Sequence, residues 1–177
     1  MGRAMPTPAL RPMLPADVPV LAAIFAESVE ELTQDDYSEA QRAAWASCAD
    51  DEAALAARLG GQLTLVATQG GSVVGFASLK DNARIDMLFV HPAAIGQGVA
   101  RTLIDALEKL AAARGATVLT VDASDTAHGF FRHRGYANQR RNSMTVGDEW
   151  LANTTMTKTL VTKTPGAADA PSSDSPS

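Results

Sequence analysis

A chain of 177 residues that is 46% hydrophobic and 20% charged can bury one sizeable core and is short for two domains. Its net charge of -5, with basic residues scattered along the chain, argues against a nucleic-acid partner. The lone Cys48 excludes an intramolecular disulfide, and with His91, His128 and His133 it has no zinc-ligand spacing, so no metal is expected.

In chain order, residues 1–8 read as an N-terminal extension and the folded domain as residues 9–161. Met1-Gly2 fails as a lipidation signal because Pro6 stands where Ser or Thr is needed. No run reaches the roughly 18 apolar residues that span a bilayer, and no apolar signal-peptide core opens the chain, so a cytoplasmic protein without a membrane partner is expected. A strand over 9–13 leads into a helix over 16–32 with Leu21, Ile24, Phe25 and Val29 on one face. Around its end Glu27, Glu30, Glu31, Asp35 and Asp36 form an acidic run that either draws a cationic amine or is a solvated face.

Ser38-Glu-Ala-Gln41 is a capping-box pattern opening a helix that carries Trp45, and a short helix over 51–59 ends at Gly60-Gly61. Strands over 63–68, 73–80 and 85–90, separated by Gln69-Gly-Gly-Ser72 and Asp81-Asn82, read as an antiparallel meander. A helix from Gly98, a buried strand over 117–121, a short helix over 125–134 capped by Gly135, and closing strands over 136–142 and 150–160 complete the domain. Residues 162–177 are Ala, Pro, Ser, Asp and Thr with little to bury, and read as a disordered tail. Runs of strands with helices inserted indicate an α+β, mixed-sheet fold. The unit from Ile85 to Val121 is expected to be parallel and right-handed, so that Val90 and Asp122 flank the mouth of a crevice.

The segment Leu88-Phe-Val-His-Pro-Ala-Ala-Ile-Gly-Gln-Gly-Val-Ala-Arg101 is the most informative. Pro92 stops the strand, Gly96 and Gly98 admit backbone angles that side chains resist, and Val99, Leu103, Ala106, Leu107 and Leu110 recur at helical spacing. The first-turn N–H groups of that helix lack intrahelical partners, and the helix dipole favours an anion there, with Arg101 one turn in. A Rossmann fingerprint requires Gly or Ala where Arg101 stands, and a P-loop requires a Gly-Lys-Ser/Thr ending, so both fit poorly.

Val90-His91-Pro92 followed by Ile95-Gly96-Gln97-Gly98-Val99-Ala100 resembles the coenzyme A loop of the GCN5-related N-acetyltransferases, Gln/Arg-x-x-Gly-x-Gly/Ala, except that Ile95 replaces the polar residue. Ala127-His-Gly-Phe-Phe-Arg-His-Arg-Gly-Tyr136 resembles the second cofactor segment of that family. The resemblance, over roughly residues 9–160, implies one domain whose central, mostly antiparallel mixed sheet contains a splayed parallel pair and is flanked by helices. It implies acetyl-CoA as acyl donor and a small-molecule or peptide amine as acceptor; a homodimer is left open. The implied cofactor contacts are Leu88, Phe89 and Val90, the loop residues Ile95, Gly96, Gln97, Gly98, Val99, Ala100 and Arg101, and Ser124 and Phe131, with the Val90 N–H polarising the thioester carbonyl.

For the proton acceptor, Asp86 alternates onto the face of Leu88 and Val90 unless a bulge swaps its orientation, and either faces the crevice, accepts hydrogen bonds from a neighbouring strand, or pairs with Arg84 at an exposed edge. Asp122 is the second candidate, against a capping or turn role. Many relatives carry a tyrosine acid where this chain has Phe131, which cannot donate a proton; Tyr37, Ser124 or water can take that role, and Tyr37 is preferred. Trp45 and Trp150 either frame an acceptor pocket or pack in the core. The alternatives are a non-catalytic acyl-CoA binding module and a dinucleotide-binding oxidoreductase, in which Asp122 would contact a ribose hydroxyl.

Overall fold

Residues 7–161 are described by the computed structural model, so the expected tail over 162–177 and residues 1–6 of the extension lie outside the described residues. The chain opens with β1 (Ala9–Pro12) and a single 3-10 turn, then α1 (Val18–Leu32), which buries Leu21, Ile24, Phe25 and Val29 as their spacing predicts. At α2 (Glu39–Ala46) the capping box forms: Ser38 Oγ accepts from the Gln41 N–H at 3.2 Å, and Gln41 Oε1 accepts from the Ser38 N–H at 2.9 Å. Asp51 caps α3 (Glu52–Gly60) through the Ala54 N–H at 2.9 Å.

The meander is β2 (Leu63–Gln69), β3 (Ser72–Lys80) and β4 (Arg84–Val90). Its hairpins turn at Gly70-Gly71, a two-residue loop, and at Asp81-Asn82 within the three-residue loop 81–83, all four residues at the positive φ that such tight turns require. After α4 (Val99–Ala113) come β5 (Val118–Ser124), α5 (His128–His133), and the hairpin β6 (Ala137–Val146) and β7 (Glu149–Thr159). The sheet order is β1-β2-β3-β4-β5-β7-β6, antiparallel throughout except for the β4–β5 pair. One parallel pair in seven strands is not a doubly wound dinucleotide fold, and the oxidoreductase alternative falls on that topology.

Two cores cover the two faces. One lies under α4 and α5, with Leu103, Ile104, Leu107, Leu119 and Met156; the other lies under α1 to α3, with Phe25, Leu59, Phe76 and Met87. Among the described residues no helix is long and apolar enough to cross a membrane.

The β4–β5 pair is joined at Arg84↔Thr120 and Ile85↔Val121 and nowhere beyond, so the strands diverge toward their C-terminal ends as the resemblance implies. β5 runs to Ser124, three residues further than expected, which puts Asp122 inside the strand near the base of the fork and not at its mouth beside Val90. The short helix is also trimmed, because residues 125–127 form a turn.

Candidate active site

The glycine loop turns its backbone outward. Gly96 and Gly98 have φ of +80° and +79°, and a Cβ built on either meets nothing within 4 Å. The first hydrogen bond of α4 runs from the Thr102 N–H to the Gly98 carbonyl at 3.0 Å, and the amides of residues 96–101 donate to no group among the described residues. Six consecutive free N–H groups at the positive end of a 15-residue helix form a cradle for an anion. Ile95 is 51% exposed and adds no polar group. Arg101 is exposed and lines a hollow with Phe130, His133 and Lys158.

What aims that helix is Gly75, in the middle of β3. A Cβ there would lie 2.9 Å from Val99 Cγ1 and 3.0 Å from the Phe89 carbonyl oxygen, so the first turn of α4 rests directly on the β3 backbone. A glycine inside a strand pattern signals such an approach, and Val-Val-Gly75-Phe carried that signal in the sequence.

The fork supplies a second set of free donors. His91 N–H donates to the Val74 carbonyl at 2.8 Å and Phe89 is paired with Phe76, so antiparallel alternation points the N–H groups of Leu88 and Val90 away from β3 and toward the gap left by β5. The gap opens into a cleft of about 280 Å³ lined by β4, β5, the aromatic side chains of α1 and α2, and the β6–β7 hairpin.

Both candidate carboxylates line this cleft, beside the base of the fork where β4 and β5 still pair. The β3–β4 register jumps from Ser78↔Met87 to Leu79↔Ile85, which leaves Asp86 as the extra residue of a β-bulge. The bulge overturns the expected alternation. Asp86 faces α3 and not the side of Leu88 and Val90: Arg58 donates to it twice, at 2.7 and 2.9 Å, and Gln62 once, at 2.8 Å. Its partner is therefore Arg58, not Arg84. Burial pushes the Asp86 carboxyl up, but the Arg58 and Gln62 hydrogen bonds and the Arg58 charge outweigh it and hold the pKa below the usual carboxylate value. Asp122 is clipped to Arg84 across the base of the fork and accepts from Thr155 Oγ1 at 2.6 Å. Its side chain is 29% exposed against 13% for Asp86, and it has fewer donors.

Tyr37 is buried, and its hydroxyl is used twice: it donates to the Ala152 carbonyl at 2.7 Å and accepts from the Asp125 N–H at 2.9 Å. Burial, against the Asp125 hydrogen bond, raises its pKa, and the hydroxyl ties the turn after β5 to β7. Ser124 Oγ accepts from the Ala127 N–H at 3.1 Å and organises the turn into α5. Phe131 is buried and stacks edge-on with Phe130 and Tyr136 while touching the cleft. Trp45 lines the cleft; Trp150 is 63% exposed and does not. The acidic run also stays outside: Glu27 meets His91 Nε2 at 3.0 Å and Asp36 accepts from Thr126 at 2.7 Å.

Residues 33–160 match a family model described as an acetyltransferase (GNAT) domain. The chain is 34% identical over 144 residues to the uncharacterized N-acetyltransferase YafP of Escherichia coli (strain K12), covering 81% of this chain and 91% of that one. The crystal structure of the GCN5-related N-acetyltransferase: Aminotransferase, Class-II from Rhodopseudomonas palustris is 64% identical with a TM-score of 0.87, over 90% of this chain and 100% of that one. The PaiA N-acetyltransferase of Thermoplasma acidophilum, solved in complex with coenzyme A, shares the fold at 19% identity and a TM-score of 0.71, covering 86% of this chain and 99% of that one.

Proposed function

The chain belongs to the GNAT family of acetyltransferases, and on that premise we propose that it transfers the acetyl group of acetyl-CoA directly to a primary amine within a ternary complex. The run of unpaired amides from Gly96 to Arg101, opening on empty space beside the fork, carries this reading. A diphosphate needs several convergent N–H donors near positive charge, and that main-chain cradle fits it without a polar side chain at Ile95. The free N–H groups of Leu88 and Val90 suit the amide-bearing arm of the cofactor and its thioester oxygen, and the coenzyme A complex of the Thermoplasma relative supports the same reading.

Acetyl-CoA supplies the acetyl group as a thioester: the amine nitrogen bonds to the carbonyl carbon, the C–S bond breaks with its electron pair on sulfur, and nitrogen loses a proton. The Leu88 N–H, the free donor of β4 nearer to the two carboxylates, polarises the carbonyl oxygen in place of the Val90 N–H at the mouth of the fork. We assign the proton to Asp122, the more exposed and less heavily bonded carboxylate, and give Asp86 the role of a fixed negative charge that orients the ammonium before it is deprotonated. No acid is required at sulfur, because a thiol of pKa about 8.5 leaves as thiolate and takes its proton from water. Phe131 and the committed Tyr37 hydroxyl are compatible with that.

Isothermal titration with acetyl-CoA tests the first half of the proposal, and absence of binding defeats it. Gly98→Val, which forces a branched side chain to φ +79° and into the cradle, is expected to weaken acetyl-CoA binding by about tenfold or more. Binding without amine-dependent thiol release would favour the non-catalytic acyl-CoA module, the reading that Phe131 and Tyr37 would then support.

A further inference from the structure

Resting on the acetyltransferase reading, we infer that the acceptor is a primary amine carried on a flat aromatic body, held against Trp45 and Phe89 with its nitrogen toward the Asp86–Asp122 end of the cleft. One wall of the cleft is a continuous aromatic chain. Tyr37 and Trp45 meet edge-on at 5.5 Å between centroids, as do Trp45 and Phe89 at 6.3 Å, and Phe89 and Phe25 lie tilted at 4.3 Å. Phe25 and Tyr37 are buried behind it, at 3% and 6% exposure, while Trp45 and Phe89 keep accessible surface. Met144, 48% exposed, stands on the hairpin wall of the same cleft. A cleft lined by Trp45 and Phe89 together with the Met144 side chain suits a planar apolar group, which gains aromatic and sulfur contacts there.

The charges select against the other amine classes. Each carboxylate beside the base of the fork is already matched by an arginine, Asp86 by Arg58 and Asp122 by Arg84, so the floor offers carboxylate oxygens to a single ammonium and no surplus negative charge to hold a polycation. The acidic run that would attract a polyamine does not line the cleft, where Glu27, Glu30, Glu31, Asp35 and Asp36 are all missing from the walls. A monocationic aromatic amine is therefore matched by shape and charge together.

Cys48, the one cysteine of the chain, is exposed on the cleft lining and provides a readout that does not depend on turnover. Its alkylation by N-ethylmaleimide, followed by intact mass, is measured with 2-phenylethylamine, tryptamine, spermidine or L-lysine present. The two aromatic amines should slow alkylation and should support thiol release from acetyl-CoA; spermidine and L-lysine should do neither. Trp45→Ala should abolish the protection and raise the KM for tryptamine about tenfold or more, Trp45→Phe should restore most of both, and acetyl-CoA affinity by titration should be unchanged in each. Equal or better protection and turnover with spermidine or L-lysine would overturn the inference, as would wild-type-like protection and KM in Trp45→Ala. Failure to bind acetyl-CoA would instead strike the acetyltransferase reading, since protection of Cys48 by an amine alone needs no cofactor.

Discussion

One inserted residue decides the roles of two carboxylates. Without the bulge, Asp86 would share the α4-side face of Leu88 and Val90, opposite the face that Asp122 takes between Val121 and Ala123. The bulge turns Asp86 to α3, where Arg58 and Gln62 saturate it, and leaves Asp122 with Arg84 and Thr155. The two are expected to separate kinetically. Asp122→Asn should lower kcat by about 100-fold and remove the acidic limb of the pH profile, within the range of lost general-base catalysis. Asp86→Asn should raise the KM for the amine and leave that limb in place, because a carboxylate whose pKa is already depressed is fully ionised throughout the working range. The reverse pattern, with the limb lost in Asp86→Asn alone, would make Asp86 the base.

Element placement depends on close contact as much as on helix propensity. α4 is held at both ends: its first turn rests on Gly75, and Asn82 Nδ2, in the β3–β4 turn, donates to the Ala111 and Arg114 carbonyls at 3.2 and 3.3 Å. Gly75→Ala sets a methyl group 3.0 Å from a main-chain oxygen that cannot rotate away, so α4 must shift. A loss of about 1–3 kcal/mol in stability is expected, with weaker acetyl-CoA binding as the cradle moves. Gly129→Ala in α5, where the added methyl group meets nothing within 4 Å, is the control and should be neutral or slightly stabilising. Urea denaturation and titration on both variants check this, and an unperturbed Gly75→Ala protein would show that α4 is located by other contacts.

Over the whole molecule, Asp17 and Asp86 are expected to contribute to stability against acid. Asp17 is held below its ordinary pKa chiefly by two hydrogen bonds from Arg11 at 2.7 and 2.8 Å, and Asp86 by Arg58 and Gln62 against its own burial. Unfolded, both titrate near about 3.9; folded, they titrate lower. Their contribution is therefore complete above about pH 4 and is lost as the pH falls through the depressed folded values. Thermal melts should show a Tm that drops on acidification below about pH 4, less steeply in the Asp17→Asn, Asp86→Asn double variant than in the wild type. Parallel slopes would mean that other groups govern acid unfolding.

The local devices were legible in the amino-acid order because each depends on near neighbours. The Ser38–Gln41 box, the hairpin turn at Asp81-Asn82, the apolar face of α1 and the glycine-opened helix at Gly98 all satisfy backbone geometry within a few residues. The order of elements and the resemblance of residues 90–100 and 127–136 were sufficient for the fold. What tertiary structure alone decided concerns groups brought together across the chain. Arg58 reaches Asp86 over 28 residues, Tyr37 bridges Ala152 and Asp125, and Trp150 is left on the surface while Trp45 joins the cleft. Period-two alternation fixes a strand's faces until a bulge intervenes, and a bulge arises from pairing with a neighbouring strand, which no local run of residues specifies.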